Sequence, residues 1–141
     1  DDGRFILYET RAICRYIADK YTNQGTPLMP PGTKEKVLFE QAGSIEYCNF
    51  EPLASRAVGE MVFKLMFSQA ADEALFDFLI ESLSTKLDAY KVILAKHRYL
   101  TGNEVTLMDL FHLPYTTIWV QILGGEGLDE RLWAWSYGEK R

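Results

Sequence analysis

Thr106 and Asp109, three residues apart, constrain this 141-residue chain more than any other pair in it. Thr106 stands where a helix N-cap would stand, its hydroxyl placed to accept from the backbone N–H of Asp109. The Asp109 carboxylate can reach back to the N–H of Thr106, so two donors left open by a helix start are satisfied reciprocally. Val105 before the cap and Leu110 at the fourth helical position are spaced for a hydrophobic staple, and a negative Asp109 suits the positive end of the helix dipole. Upstream, Thr101-Gly102-Asn103 is turn chemistry, with Gly and Asn tolerating a positive φ. A box of this kind can merely start a helix. Box and staple together, opening the apolar run Leu110-Phe111-His112-Leu113, predict a helix buried at the centre of a domain.

Composition bounds the rest. With 48% hydrophobic residues the chain suits one globular domain with part of a second, not disorder. A net charge of −5 argues against a nucleic-acid footprint. Cys14 and Cys48 form no CxxC and sit in apolar helical patterns, as buried free thiols of a reducing compartment would. There is no apolar run of about 18 residues for a membrane span. Asp1-Asp2-Gly3-Arg4 lacks the features of a signal peptide, so a cytoplasmic location without nucleic-acid or membrane partners is expected.

Arg4-Phe5-Ile6-Leu7-Tyr8 is β-rich and apolar on both faces, which predicts a strand over 4–8. Nothing else in the chain reads as a strand, and a lone strand leaves its backbone unpaired. The chain is therefore expected to begin partway through a sheet. A helix over 10–22 follows, opened by Glu9 and Thr10, which on residues alone are simply a helix start. Asn23 to Gly32 carries three prolines and two glycines, enough to break it, giving a linker over 25–33. Beyond it the chain reads as helical to its end. One stripe runs through Leu38, Ala42, Ile45 and Asn49, and a second through Leu53, Ala57, Met61 and Leu65, with Pro52 expected to kink or divide the helix and the helix expected to end near Ser68. Asp72 is placed as an N-cap for a long amphipathic helix through Phe76, Leu79, Leu83, Leu87 and Tyr90 to about Lys96. The helix after the box should kink at Pro114 and end at Gly124-Gly125.

Three quoted stretches resemble one family. Y-L-x-G followed by T-L-x-D-L-x-H-L-P over 99–114 resembles the core of the C-terminal helical domain of glutathione transferases, and its His-Leu-Pro ending is most similar to the phi-like members of plants and fungi. Gly3 to Ala18 resembles the family's last strand and third helix, and Ser44 to Ala54 its first C-terminal helix. The resemblance implies a mainly α fold: residues 1–24 as a remnant of a thioredoxin-like domain, a linker, and an all-α bundle over 34–141. It fades beyond Gly127, where an Arg-Pro step is missing.

By that resemblance the function is conjugation of glutathione thiolate to small apolar electrophiles, glutathione being a co-substrate and no further cofactor being needed. Glu9 and Thr10 fall on the pair that binds the γ-glutamyl part of glutathione. Phe50, Leu53 and Ala54, with Tyr115, Ile118 and Trp119, fall near the hydrophobic-substrate pocket, though each also reads as ordinary core. The family's catalytic Ser or Tyr and its cis-proline have no counterpart here, so no catalytic residue is assigned, and the chain is expected to be an inactive fragment of a protein that is a homodimer when complete. A non-catalytic interaction module of the same fold, or a bare helical scaffold, remain as alternatives. No metal-ligand spacing stands out, and His112 reads as a packing residue.

Overall fold

The computed structural model describes residues 2–123, with side chains through Ile118. Helix α1 spans Thr10–Lys20. After the linker comes one continuous helical rod made of α2 (Thr33–Ile45), a π-turn (Glu46–Phe50), α3 (Glu51–Val58), a second π-turn (Gly59–Phe63) and α4 (Lys64–Met66). Helix α5 (Glu73–Leu94) packs back along it, and after a loop come α6 (Leu107–Leu110) and α7 (Leu113–Leu123), which packs on α3. Leu128 to Trp135, the Gly124-Gly125 stop and the remainder of the 34–141 domain lie outside the described residues.

At Pro52 the rod is divided by a widened turn just before the proline. Pro52 has no N–H, and in α register its ring would meet the carbonyl of Cys48. One turn earlier the bonding steps out to i→i+5, with the Glu51 N–H on the Glu46 carbonyl, and Pro52 then sits in the first turn of α3. The widening also sets which side chains face inward. Phe39, Ala42, Glu46 and Phe50 are buried, whereas Leu38 is half exposed. The stripe expected through Leu38 and Asn49 is thus displaced by one residue. The buried face includes an acid, Glu46, whose partner is a cation 35 residues away.

The rod ends at Ser68, which takes a positive φ of 56°, while the Gln69 N–H donates to the Lys64 carbonyl at 2.8 Å. Asp72 caps α5 as expected, accepting from the Leu75 N–H at 2.9 Å. Leu79, Leu83, Leu87 and Tyr90 of α5 meet Phe50, Ala54 and Ala57 of the rod to form the core. Gly43 is where α2 is crossed most closely. A Cβ there would lie 2.7 Å from Met108 Sδ of α6 and 3.1 Å from Arg15 Nη2 of α1.

The segment expected as a strand over 4–8 forms no ladder. Gly3 and Arg4 make a turn closed by an isolated Asp2–Phe5 bridge, and among the described residues no second strand exists to pair with 6–8. What holds this end is a cluster on α1: the Phe5 and Tyr16 rings stand 5.4 Å apart, and Asp2 accepts from Tyr16 Oη and Lys20 Nζ.

The capping box at Thr106 and Asp109 is formed. Its strength lies in the carboxylate. Asp109 Oδ2 accepts from both the N–H and the hydroxyl of Thr106 at 2.8 Å, and Oδ1 accepts from the Leu100 N–H at 2.9 Å. Leu107 N–H donates to the Leu28 carbonyl at 3.0 Å, tying the linker to the same point. The upstream reversal uses Gly102 at φ 146°, while Asn103 keeps a negative φ and accepts from the Arg98 N–H. Val105 and Leu110 are half-buried. The helix then breaks at Phe111-His112 and restarts at Leu113, which places Pro114 in a first turn where its missing N–H costs nothing. Thr106→Ala should cost about 0.5–2 kcal/mol, as for a simple cap. Asp109→Ala, which strands three buried donors, should cost at least about 3 kcal/mol in urea unfolding. Equal costs would mean that the carboxylate is no more than a cap.

His112 is fully buried against Phe50 and Tyr90, ring centroids 4.5 and 5.4 Å away. Its Nδ1 lies 2.9 Å from the Met108 carbonyl, which can only accept, so Nδ1 carries the proton and Nε2 accepts from the Tyr90 hydroxyl at 3.2 Å. Burial lowers the imidazole to about 4 and raises the Tyr90 phenol. The fold holds His112 neutral while the unfolded chain protonates it near 6.5, so stability falls as pH drops from about 6.5 towards 4. That loss is about 2 kcal/mol by pH 5. The stability difference between the native chain and His112→Gln should shrink by that amount between pH 7 and pH 5; a constant difference would rule out a buried neutral imidazole.

Candidate functional site

Glu9 is the one residue before α1 and adopts φ 69°, ψ 115°, a left-handed conformation that a residue with a side chain pays about 1–3 kcal/mol to hold. Its carbonyl takes the Ile13 N–H at 2.9 Å and so begins the helix. Its side chain caps nothing. Among the described residues the N–H groups of the first turn of α1 therefore stay open, beside an exposed Glu9 carboxylate and an exposed Thr10 hydroxyl. Such a start offers donors and positive dipole to a small anion, and an acceptor to a neighbouring cation.

One residue further, Arg11 fixes where this helix start sits. Its Nε and Nη2 donate to Glu46 Oε2 and Oε1 at 2.8 and 2.7 Å, a two-pronged pair across α1 and the first π-turn. Glu46 is fully buried and Arg11 about one-quarter exposed. The guanidinium also lies 5.3 Å from the Tyr47 ring and 5.6 Å from that of Phe111, while Arg15 lies 5.9 Å from the Phe111 ring. Five residues after Glu46, Glu51 Oε1 accepts from the Tyr115 hydroxyl at 3.3 Å. Burial, then the Glu51 charge, raises the Tyr115 phenol.

The residues expected to line an apolar pocket are divided by the fold. Phe50 and Ala54 are 3% and 0% exposed and belong to the core. Leu53, Tyr115 and Ile118 are half-buried on α3 and α7, which pack together. Trp119 is in α7, but its side chain lies outside the described ones. A cavity of about 250 Å³ lies elsewhere, between α2 and α5, lined by Leu38, Ala42, Ile45, Tyr90 and Ile93 among others. None of the expected site residues lines it. Among the described residues no group of three His, Cys, Asp or Glu side chains could hold a metal, and no helix is long and apolar enough to cross a membrane. Arg11, Glu46 and Glu51 were not singled out from the sequence. The only available signal was an acid at helical spacing within an apolar stripe, downstream of an arginine.

Fold and site define a helical bundle with an anion-ready helix start docked on its edge. No family model matches the sequence. The chain is 44% identical over 124 residues to glutathione S-transferase PM239X14 of Arabidopsis thaliana, covering 86% of this chain and 56% of that protein. It is 40% identical to glutathione S-transferase hmp2 of Hypomyces subiculosus, covering 93% of this chain and 62% of that one. In structure it superposes on glutathione transferase F7 of Populus trichocarpa with a TM-score of 0.90 at 27% identity, over 98% of this chain and 66% of that one. A glutathione S-transferase I bound to lactoylglutathione gives 0.86 at 25% identity, over 99% and 68%. The chain belongs to the glutathione transferase family, on its phi-like plant and fungal side. It spans little more than half the length of the two curated relatives.

Removing Arg11 leaves a buried carboxylate without its partner. Arg11→Ala should destabilise by about 3 kcal/mol, the low end for a broken buried pair because water reaches the guanidinium. Glu46→Gln should cost less, since the amide still accepts a hydrogen bond. Urea midpoints of the two variants check this, and an Arg11→Ala midpoint equal to that of the native chain would remove the pair from the fold's supports.

Proposed function

We propose that the protein acts as a glutathione transferase and that Glu9 and Thr10 hold the γ-glutamyl end of glutathione. The observation carrying this reading is the uncapped start of α1 with Glu9 in a left-handed conformation. The γ-glutamyl group bears an α-carboxylate and an α-ammonium side by side. The open N–H groups and the Thr10 hydroxyl match the carboxylate, and the Glu9 carboxylate matches the ammonium. The solved relative bound to lactoylglutathione supports a ligand of this class.

Leu53, Tyr115 and Ile118, with Trp119 adjoining and Phe50 and Ala54 behind, form one wall for a small apolar electrophile. The conjugation step is attack of the glutathione sulfur on that electrophile. A thiol is mostly protonated at neutral pH and needs a donor aimed at sulfur to react as thiolate. No described residue is assigned that role, so this chain alone binds glutathione weakly and does not conjugate it. A cytoplasmic homodimer is the assembly proposed for the complete protein.

A glutathione titration followed by amide NMR tests the reading. Shifts should centre on Thr10 to Ile13, and Glu9→Gln or Thr10→Ala should weaken binding about tenfold, equivalent to about 1.4 kcal/mol. A standard electrophile should not be turned over. Shifts centred elsewhere would refute the binding site, and conjugation by the isolated chain would refute the assignment of sulfur activation to residues outside it.

A further inference from the structure

A second hollow lies on the face formed by the linker and the loop before α6. It encloses about 380 Å³, a size suited to a small molecule, and is lined by Pro27, Met29, Pro30, Glu35, Glu104 and Val105 among others. Three segments build it: the linker, the first turn of α2 and residues 101–106. Each is held in place. The linker prolines fix their own φ, and the Leu107 N–H donates to the Leu28 carbonyl at 3.0 Å. Across the hollow, the Tyr99–Gly102 bridge closes the loop, and Asn103 Oδ1 accepts from the Arg98 N–H at 3.4 Å. The hollow is therefore preformed, with little left to order when a ligand enters.

Its charge has one sign. Met29, Pro30 and Val105 are half-buried and supply an apolar floor, while Glu35 and Glu104 are exposed at the rim. Among the described residues no lysine, arginine or histidine lines it, and neither carboxylate forms an ion pair or accepts a hydrogen bond. Glu35 is folded back over the start of α2. A Cβ at Gly32 would lie 1.9 Å from its Oε2, so a side chain there would push the carboxylate aside. The Thr101 hydroxyl donates to Thr106 at 3.4 Å and keeps its lone pairs for another donor. An anion would be repelled here, and a neutral apolar molecule would leave both carboxylates unused. A cation with an apolar body meets the floor and the rim together.

We propose that this hollow binds a small organic ammonium ion, its apolar body on Met29, Pro30 and Val105 and its charge against the Glu35 and Glu104 carboxylates. The site shares no residue with the start of α1, so it stands whether or not the chain binds glutathione.

Phenethylammonium, titrated into the chain and followed by amide NMR, is the probe, with phenethyl alcohol and hydrocinnamate as its neutral and anionic counterparts. Shifts should centre on Glu35 and on Thr101 to Thr106 and saturate in the millimolar range. Added salt should weaken binding, because the two carboxylates are exposed and their attraction is screened. The alcohol should bind about tenfold more weakly, and hydrocinnamate should not bind. Glu35→Gln and Glu104→Gln should each weaken the ammonium ion about threefold and together about tenfold, with the fold unchanged by circular dichroism. Gly32→Ala, at a φ of −83° that any residue adopts, should match Glu35→Gln because it displaces that carboxylate without removing it. No shifts in this region, equal affinity for the alcohol, or a double variant that binds as tightly as the native chain would each overturn the proposal.

Discussion

The ion pair of Arg11 with Glu46 joins two parts of the chain that have little else in common. On one side is α1, a helix with no buried residue of its own. On the other is a bundle with a well-filled core. A carboxylate that is 0% exposed cannot stay ionised in an apolar interior without a partner. Arg11 meets it with two parallel bonds, and flanking aromatic faces hold the guanidinium in place. The orientation of α1 follows from that fork, and with it the direction in which Glu9 and Thr10 face. Gly43 contributes by letting α6 and Arg15 approach α2 where a larger residue would separate them.

The π-turn and Pro52 belong to the same arrangement. The proline forces the rod out of α register, and the widened turn carries Glu46 and Phe50 to the interior and Glu51 to Tyr115. One local backbone constraint thus places three side chains that serve three different contacts. The Asp109 carboxylate does comparable work for the bundle, gathering the Leu100 loop and the start of α6 at one buried point. These two acids, both buried, are anchored differently: Asp109 by neutral donors close in sequence, Glu46 by a cation far from it.

That difference decides what could be read without a structure. The capping box and the Asp72 cap are legible because partners three residues apart meet in any helix start. The long α5 is legible because its apolar residues keep one period for six turns. Glu46 was not legible, since its partner lies 35 residues upstream and no local pattern signals it. The stripe through Leu38, Ala42, Ile45 and Asn49 assumed an unbroken α period, which the π-turn at Glu46–Phe50 interrupts. The segment over 4–8 carries strand chemistry, but a ladder is defined by its neighbours, and none is present among the described residues. For the site, the residues alone gave Glu9 and Thr10 as a helix start. The resemblance suggested a ligand, and the left-handed Glu9 with an uncapped α1 provides physical reasons for one.

If the Arg11–Glu46 pair makes α1 and the bundle a single cooperative unit, native-state hydrogen exchange should show it. In the native chain the amides of α1 from Ile13 onward should exchange only through openings nearly as costly as those that expose α5. In Glu46→Gln the α1 amides should open separately and faster, while α5 keeps its own rate. Unchanged α1 exchange in that variant would contradict the central role given to the pair.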